Sequence, residues 1–289
     1  MVKDIIKEMR IRQWIKNVFV LAAIVFDRQL KNPEALWRSI LGFIIFCLIS
    51  SSIYFINDLF DKEADRNHPV KKNRPIASGR LPVPIALAIA IILTVVSLAG
   101  AFLLSLNFGW VISVYLVLNL AYSKWLKHIA IIDVLVIAAG FVLRVAGGVT
   151  LIVVERFSPW LYVVTTLFAL YIGFGKRRTE LALLSAEANN HRKVLEGYTL
   201  PFLDQLIIIV SSTTLVAYSL YTFSAPNLPD NHSMMLTIPF VLYGIFRYLY
   251  LVQVKQAGGA PEDVIMSDRP LQATVLLWGL SILVIFYLF

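Results

Sequence analysis

Long apolar runs, separated by short polar breaks, follow one another from one end of the chain to the other. Each run has about 20 residues, the length that an α-helix needs to cross the hydrocarbon core of a bilayer. The first run is the weakest, because Asp27 and Arg28 interrupt it, and we expect it to be tilted or partly interfacial. The pattern predicts an all-α integral membrane protein with nine transmembrane helices, near residues 17–32, 37–60, 83–104, 108–125, 129–153, 159–177, 201–223, 235–254 and 271–289.

The polar breaks are too short to form a separate soluble domain. We therefore expect residues 1–289 to form a single polytopic membrane domain, with an amphipathic start at 1–16 and cytoplasmic loops at 61–82 and 176–200. Lys and Arg are distributed unevenly over the breaks: twenty of the 26 fall in alternate segments that include the amino end, and four fall in the opposite set. This asymmetry predicts a cytoplasmic amino end and a carboxyl end outside.

Composition agrees with this interpretation. Hydrophobic residues make up 58% of the chain and charged residues only 15%, whereas a soluble domain carries about 25% charged residues. The net charge of +8 favours contact with anionic headgroups over contact with nucleic acid. Cys47 is the only cysteine, which excludes a disulfide within one chain, and the four histidines are scattered without zinc-ligand spacing.

An acidic motif follows the second predicted span. On a helix, Asp58, Asp61 and Asp65 fall within about 60° of one another, and Asn57 lies on the adjoining edge. Three carboxylates on one stripe repel each other and are costly to desolvate near a membrane, and a hard divalent cation relieves both effects. The sequence therefore predicts a Mg²⁺ site with Asn57 and the three aspartates as ligands. The alternative is a solvated acidic helix end paired with neighbouring basic residues.

A basic loop comes directly after the acidic motif. Pro69 stops the helix, and Lys71 and Arg74 then stand close to the acidic stripe. Mg²⁺ with cationic side chains beside it is what departing pyrophosphate requires, since negative charge accumulates on that group. An ordinary cytoplasmic basic role is the alternative for Lys71, and it fits Arg74 less well.

These residues resemble a known family signature. Asn57-Asp58-x-x-Asp61-x-x-x-Asp65, then His-Pro and Arg74-Pro-Ile-Ala-Ser-Gly, is similar to the first motif of the UbiA superfamily of intramembrane prenyltransferases. Nine spans and a cytoplasmic amino end also match that family. The resemblance covers essentially the whole chain and implies a UbiA-like helical bundle that uses Mg²⁺ on a diphosphate substrate.

The chain departs from the common family pattern after the sixth predicted span. A second Asp-rich motif is expected there, but the sequence reads Lys176-Arg177-Arg178-Thr-Glu180. Lys and Arg in place of metal ligands favour a directly bound anion such as phosphate. This substitution resembles the decaprenyl-phosphate phosphoribosyltransferase branch of the superfamily. Other stretches agree with that branch in order: Arg12-Gln-Trp-Ile-Lys16-Asn17, Tyr122-Ser-Lys124, Asp133, Arg144, Arg247-Tyr248 and Asp268-Arg269-Pro-Leu.

This branch implies that phosphoribosyl pyrophosphate is the donor and a polyprenyl phosphate the acceptor, in a step of cell-wall biogenesis at the cytoplasmic face of the cell membrane. Lys176, Arg177 and Arg178 would hold the 5-phosphate or part of the lipid phosphate. Asp133 could serve the ribose hydroxyls. Arg144 has either a role in the site or a structural pairing role. The resemblance also places the following residues among the substrate contacts: Arg12, Lys16, Asn17, Asn57, Lys71, Arg74, Tyr122, Lys124 and Glu180.

Two other functions compete with this one. A conventional UbiA enzyme would move a prenyl group from a polyprenyl diphosphate to an aromatic acceptor, and it predicts a second acidic cluster, which the sequence lacks. A transporter or lipid-binding scaffold would use the acidic stripe as a cation site, but inverted repeats and broken midplane helices are not evident. The length of the isoprenoid and the oligomeric state stay open, and self-association is compatible with the branch.

Overall fold

The computed structural model describes residues 1–68, 71–154, 158–184, 193–225, 228–256 and 261–288. Within these ranges all regular structure is helical, which confirms the all-α prediction. The α-helices are α1 (Val2–Glu8), α2 (Ala22–Phe26), α3 (Pro33–Phe60), α4 (Lys62–Arg66), α5 (Val83–Leu104), α6 (Leu106–Lys124), α7 (Ile132–Val149), α8 (Pro159–Leu184), α9 (Leu200–Ser224), α10 (Ile238–Gln253), α11 (Pro261–Ser267) and α12 (Arg269–Leu288). Short 3-10 helices cover Ile11–Leu21, Lys71–Asn73, Leu126–His128, Lys193–Gly197 and Ser233–Thr237.

Among the described residues, seven helices are long and apolar enough to cross a membrane. They are α3, α5, α6, α7, α9, α12 and the continuous helical segment Ser233–Gln253. Each coincides with one of the spans predicted from the sequence, and together they make the chain a multi-pass membrane protein. Parts of the predicted loops 61–82 and 176–200, namely residues 69–70 and 185–192, lie outside the described residues.

Two of the nine predicted spans differ from the expectation. In place of one helix over 17–32, the structure has the end of the 3-10 helix Ile11–Leu21, followed by the five-residue α2. A left-handed residue, Arg28 with φ 56°, then turns the chain. The sixth predicted span lies within α8, which has 26 residues. This helix is not among the seven, because the basic cluster in its carboxyl part makes it less apolar. The count of nine therefore stays a prediction.

The chain forms two compact units. The amino-terminal unit comprises Met1–Ile24, Gln29–Lys127 and Leu143–Val154, and the carboxyl-terminal unit comprises Val25–Arg28, His128–Val142 and Glu155–Phe289. Each unit combines segments that are distant in sequence. The acidic motif belongs to the amino-terminal unit, and the basic cluster on α8 belongs to the carboxyl-terminal unit.

In the amino-terminal unit, α3 packs on α5, α6 and the 3-10 helix Ile11–Leu21. Pro33 begins α3, and the Asn32 side chain caps it by accepting hydrogen bonds from the amides of Glu34 (3.1 Å) and Ala35 (3.3 Å). The core of this unit is apolar and fully buried around Phe46. These contacts hold the carboxyl end of α3, where the acidic motif begins.

In the carboxyl-terminal unit, α8 packs on α9, and α10 packs on α12. The Thr199 side chain caps α9 by accepting from the Phe202 amide at 3.3 Å. Tyr171 of α8 is buried, donates to the carbonyl of Ile245 at 2.7 Å and meets the ring of Tyr248 edge-on. The carboxyl end of α8, which carries the basic cluster, is therefore fixed by its packing within this unit.

Candidate active site

The acidic motif lies where α3 ends and α4 begins. Asp58 is in the last turn of α3, Asp61 stands at the junction, and Asp65 is in α4. The predicted single helix is interrupted at Asp61, whose φ and ψ are −88° and 4°, yet the amide of Asp65 still bonds to the carbonyl of Asp61 at 2.8 Å. The helical course is therefore nearly maintained. Asp58 and Asp65 are buried, whereas the Asp61 side chain is 31% exposed.

Arg74 joins two of the aspartates. Its Nη1 donates to Asp65 Oδ2 at 2.6 Å and to Asp58 Oδ1 at 3.1 Å. Asn57 Nδ2 also donates to Asp58 Oδ1, at 3.2 Å. The sequence prediction that the basic loop stands beside the acidic stripe holds for Arg74. Lys71 is exposed, and its backbone amide donates to His68 Nδ1 at 3.3 Å.

Arg10 is a second cation at Asp58 and was not anticipated from the sequence. Its guanidinium donates to Asp58 Oδ1 at 2.7 Å and lies over the ring of Tyr54, 4.7 Å from the centroid. Arg10 has left-handed backbone angles, φ 50° and ψ 53°, between α1 and the 3-10 helix Ile11–Leu21. Forty-eight positions separate it from Asp58, so helical periodicity could not have paired the two residues.

Lys127 holds the third aspartate. Its Nζ lies 2.7 Å from Asp61 Oδ1 and 2.9 Å from Oδ2. In the sequence, Lys127 stands out only as one of the basic residues of the positive-inside pattern. Each carboxylate of the motif thus has a cationic partner: Asp58 has Arg10 and Arg74, Asp65 has Arg74, and Asp61 has Lys127.

Glu8, at the end of α1, is a buried acid next to this cluster. Burial, together with a hydrogen bond to Asp58, raises the pKa of Glu8 to about 8. Glu8 is therefore mostly protonated at pH 7, and the neutral form can share a proton with Asp58. Burial also raises the pKa of Asp65, against the attraction of Arg74. The pKa of His68 is lowered by burial and by Lys71.

The donor atoms of the motif suit a hard divalent cation. Oxygens of Asp58 and Asp65 converge on one nitrogen of Arg74, which shows that the two carboxylates can face a single cationic centre. Among the described residues, however, no group of three or more His, Cys, Asp and Glu is arranged to hold a metal ion. Asp61 forms an ion pair with Lys127 instead. Three carboxylates and an amide fit Mg²⁺ by their chemistry, with positive side chains balancing their charge in this structure.

The basic cluster on α8 is built around a buried ion pair. Arg177 Nε lies 2.7 Å from Asp133 Oδ2, and its Nη1 contacts Glu180. Asp133, in the first turn of α7, accepts a hydrogen bond from the Tyr198 hydroxyl at 2.7 Å. The same hydroxyl accepts from the amide of Ile131 at 2.6 Å. Three residues that the sequence singled out separately, Asp133, Arg177 and Glu180, are therefore in direct contact.

Arg178, the neighbour of Arg177, also meets a carboxylate. Its Nε lies 2.6 Å from Asp204 Oδ1 of α9, and Gln253 Nε2 donates to the same oxygen at 3.2 Å. Lys176 is half-buried. The partners Asp204 and Tyr198 lie too far along the chain for spacing to have revealed them.

Arg144 and Asn17 form a separate polar cluster in the amino-terminal unit. Arg144 Nε donates to Asn17 Oδ1 at 2.8 Å, and its Nη2 donates to the hydroxyl of Tyr115 at 2.7 Å. Ser50 Oγ lies 3.2 Å from the same hydroxyl, and the amide nitrogen of Asn17 lies 3.4 Å from Cys47 Sγ. The structure thus brings together two residues that the sequence analysis placed in the site.

The remaining candidate residues lie at or near the surface or contact residues close to them in sequence. Arg12 and Lys124 are exposed, and Lys124 Nζ lies 4.6 Å from the Trp125 ring centroid. Tyr122 is half-buried. Lys16 Nζ donates to Gln13 at 2.6 Å.

Arg247 and Asp268, which the sequence analysis used only as family features, form an ion pair. Arg247 Nη2 lies 2.8 Å from Asp268 Oδ2, and its Nε donates to Oδ1 at 3.2 Å. The hydrogen bond from Arg247 lowers the pKa of Asp268. Asp268 also accepts from the amide of Leu271 at 2.9 Å and so caps the start of α12. This pair therefore ties α10 to α12.

Comparison with known proteins gives consistent results. The model of the UbiA prenyltransferase family matches residues 18–260. Decaprenyl-phosphate phosphoribosyltransferase of Mycobacterium tuberculosis is 36% identical over 287 residues, which cover 96% of this chain and 92% of that protein. The Corynebacterium glutamicum protein of the same name is 35% identical over 295 residues, 98% of this chain and 86% of that protein.

Solved structures resemble the fold. A UbiA homolog from Archaeoglobus fulgidus, bound to DMAPP and Mg²⁺, superposes with a TM-score of 0.74 at 16% identity, covering 99% of this chain and 100% of that one. At this identity the likeness establishes the fold alone. The fold, the family model and the relatives agree with the resemblance of the acidic motif, and the chain belongs to the UbiA prenyltransferase family.

Proposed function

We propose that this protein transfers the 5-phosphoribosyl group from phosphoribosyl pyrophosphate to a polyprenyl phosphate of the decaprenyl type, and that it releases pyrophosphate in a Mg²⁺-dependent reaction. The observation that supports this most is the 36% identity, over 96% of the chain, to a relative that bears the name of that activity. The match covers nearly the whole length of these relatives. The activity in their name therefore refers to the part that this chain shares with them.

The acidic motif is the proposed site of the donor's pyrophosphate. Asp58, Asp61 and Asp65, with Asn57 beside them, would hold Mg²⁺, and the metal would neutralise charge on the departing group. Arg74 is the first cation proposed to bind pyrophosphate oxygens, and its contacts with Asp58 and Asp65 support this role. Lys71, on the same loop, is the second cation proposed for that group.

The chemistry requires little from a general base. The bond between the anomeric carbon and the pyrophosphate oxygen breaks, and an oxygen of the acceptor phosphate forms the new bond to that carbon. The acceptor is already ionised at neutral pH, so no proton has to be removed from it. The protein then has to align two anionic groups and stabilise the leaving charge, which is the work that carboxylate-bound metal and guanidinium groups can perform.

The basic cluster on α8 is the proposed binding place of a phosphate, either the 5-phosphate of the donor or part of the lipid phosphate. The contacts of the described residues divide the basic cluster into residues with a positioning role and candidates for phosphate binding. Asp133 and Arg177 are almost fully buried against each other, which favours a positioning role for both. Lys176 and Arg178 are the stronger candidates for direct phosphate contact, and Glu180 orients Arg177.

The lipid phosphate is assigned to side chains near the ends of apolar segments. Arg12, Lys16 and Asn17 lie in the 3-10 helix Ile11–Leu21, and Tyr122 and Lys124 lie in the last turn of α6. Arg144 would act on this group through Asn17, to which it donates a hydrogen bond. The proposal also retains nine spans in a cell membrane, a cytoplasmic amino end, a cytoplasmic active site and the capacity to self-associate.

The test is transfer of radiolabelled phosphoribose from phosphoribosyl pyrophosphate to polyprenyl phosphates of several lengths, with the purified full-length protein. A lipid-linked product that requires Mg²⁺ is expected. Asp58→Asn and Asp61→Asn should abolish it, because each removes one negative ligand from the proposed metal site. Arg66→Gln is the matched control: it lies within the same segment, but Arg66 pairs with the exposed Glu63 at 3.0 Å.

The outcomes separate the candidate functions. Turnover of a prenyl diphosphate with an aromatic acceptor, without phosphoribosyl transfer, would identify a conventional prenyltransferase and refute the proposal. Binding of cations without turnover of either donor would favour a transporter or scaffold. Phosphoribosyl transfer that persists in Asp58→Asn would contradict the proposed role of the acidic motif.

A further inference from the structure

Asp58 is the aspartate of the acidic motif that contacts two cationic side chains. It is one of the most buried carboxylates of the amino-terminal unit, and it meets two guanidinium groups, those of Arg10 and Arg74. Arg74 is shared with Asp65. Asn57 supplies a further donor to the same carboxylate. Two cations on one buried carboxylate repel each other, so their arrangement is easily altered by a third positive charge.

The two arginines differ in how they are held. Arg74 bridges two carboxylates with one nitrogen, and its loop is compact: its amide bonds to the carbonyl of Lys71 at 2.9 Å. Arg10 instead occupies a left-handed position between two helical segments and meets only Asp58 of the three aspartates, at 2.7 Å from Oδ1 and 2.5 Å from Oδ2. The two arginine side chains are equally exposed, at 26%. If a competing cation took the oxygens of Asp58, Arg74 would keep its contact with Asp65, whereas Arg10 would lose the one aspartate of the motif that it meets.

A divalent cation on Asp58 would compete for the oxygens that Arg10 now occupies. Mg²⁺ binds carboxylate oxygens directly, and the guanidinium would then face a metal of the same sign. The released group is planar and presents paired N–H donors, a geometry that suits phosphate oxygens as well as carboxylates. Pyrophosphate bound at the acidic motif would offer such oxygens to the Arg10 guanidinium.

We propose that Arg10 is an exchangeable counter-ion of the acidic motif: it neutralises Asp58 before the metal binds, is displaced by the divalent cation, and then binds pyrophosphate. The inference rests on the metal motif in the proposed function and adds a pyrophosphate ligand to it. No bond other than ionic contacts and hydrogen bonds changes in this exchange. In this exchange Arg10 competes with the metal for Asp58 and afterwards binds the leaving group.

The two halves of the proposal have opposite signs and can be measured separately. In Arg10→Gln, full-length and in lipid nanodiscs, Mn²⁺ binding without substrate is followed by electron paramagnetic resonance. We expect binding that is tighter by about tenfold, since one neighbouring charge changes the proton affinity of a carboxylate by about that factor or more. Inorganic pyrophosphate, added with saturating Mn²⁺, should bind weaker by roughly tenfold or more, because a charge-assisted hydrogen bond is lost.

Two further variants serve as controls. Arg66→Gln removes an exposed positive charge close to the motif and should leave both affinities within about twofold of wild type, as exposed ion pairs contribute little. Arg10→Lys keeps the charge without the paired donors. It should hold Mn²⁺ affinity near that of wild type and restore part of the pyrophosphate affinity.

Weaker or unchanged Mn²⁺ binding in Arg10→Gln would overturn the proposal, since it would mean that Arg10 only orders Asp58. Tighter Mn²⁺ binding with unchanged pyrophosphate affinity would overturn it as well, because the displaced group would have no new partner. The probes do not depend on the identity of the donor, as every diphosphate donor releases pyrophosphate. Failure of the wild type to transfer phosphoribose would refute the proposed function and leave this comparison intact.

Discussion

Arg177 and Asp133 form an ion pair that is withdrawn from solvent, with side-chain exposures of 1% and 0% and a distance of 2.7 Å from Nε to Oδ2. The pair joins α8 to the first turn of α7 within the carboxyl-terminal unit. Tyr198 adds a hydrogen bond to the other oxygen of Asp133. A buried pair of this kind adds little stability compared with apolar residues, but it is costly to break on one side only.

The first prediction concerns that asymmetry. Arg177→Met leaves the Asp133 carboxylate buried without its guanidinium, and we expect a loss of about 3–5 kcal/mol of unfolding free energy. The double variant Arg177→Met with Asp133→Asn keeps an acceptor for Tyr198 and removes the stranded charge. It should recover more than half of the loss. The apparent Tm of the detergent-solubilised proteins measures both changes, and additive losses would contradict the prediction.

The second prediction concerns a close approach of two backbones in the amino-terminal unit. A Cβ added at Gly148 of α7 would lie 2.0 Å from the carbonyl oxygen of Val20, which belongs to the 3-10 helix Ile11–Leu21. Gly148→Ala must shift one of the two segments, and we expect a loss of about 1–3 kcal/mol. Thermal unfolding followed by intrinsic fluorescence measures it.

Gly279 provides the matched control. It lies inside α12, and a Cβ there would meet no atom within 4 Å. Gly279→Ala should be neutral or more stable by up to about 1 kcal/mol, because alanine is the better helix former. Equal stability of the two variants would show that the 3-10 helix does not require the contact between Val20 and Gly148.

Seven of the nine spans could be predicted from apolar runs alone, since the length and apolarity of α3, α5, α6, α7, α9, α10 and α12 decide their placement. For the segment 17–32, the weakest of the predicted spans, the structure has a 3-10 helix and the short α2 in place of one helix. Its 3-10 hydrogen bonding, and the left-handed angles of Arg10 and Arg28 on either side of it, depend on packing against α3 and on local turns. The periodicity of apolar residues predicts neither this packing nor these turns.

The site divides in the same way. Five residues of the site fall within one short stretch of sequence: Asn57, Asp58, Asp61, Asp65 and Arg74. Helical spacing and the loop that follows were therefore enough to predict that they lie together. Glu8, Arg10 and Lys127 reach the same cluster from distant parts of the chain. A single sequence contains no signal for such pairings, because they are set by how the helices of the amino-terminal unit pack.

The third prediction concerns the pH dependence of stability. The pKa of Glu8 is raised from its ordinary value of 4.5 to about 8 by burial and by its hydrogen bond to Asp58. Between these two values the folded protein keeps a proton that the unfolded chain has released. Stability therefore falls as pH rises from about 4.5 to about 8, and no further loss from this group follows above that.

Glu8→Gln isolates this effect, because glutamine imitates the protonated acid. We expect nearly equal apparent Tm values for the variant and wild type near pH 4, and a variant more stable by at least about 3 °C at pH 8.5. Asp4→Asn is the control: Asp4 pairs with the exposed Arg80 and its pKa is lowered, chiefly by that hydrogen bond. A stability difference between Glu8→Gln and wild type that is the same at both pH values would contradict the raised pKa.

The fourth prediction concerns the buried cation Arg144. Its guanidinium donates to the hydroxyl of Tyr115 at 2.7 Å and lies 5.0 Å from the centre of the same ring. Tyr115→Phe keeps the ring and removes the acceptor, so one hydrogen bond to a charged group is lost while the cation stays buried. The expected loss is about 1.5–3 kcal/mol, measured by the apparent Tm in nanodiscs.

Ser113 lies on the same helix and makes a comparison of equal chemistry. Its hydroxyl donates to the carbonyl of Gly109, one turn back along α6, at 2.8 Å, so Ser113→Ala removes only a bond within the helix and should change stability by less than about 0.5 kcal/mol. If Tyr115→Phe proved as mild as Ser113→Ala, the tyrosine hydroxyl would not be what satisfies Arg144. The hydrogen bond to Asn17 at 2.8 Å would then be the next contact to test, with Asn17→Leu as the variant.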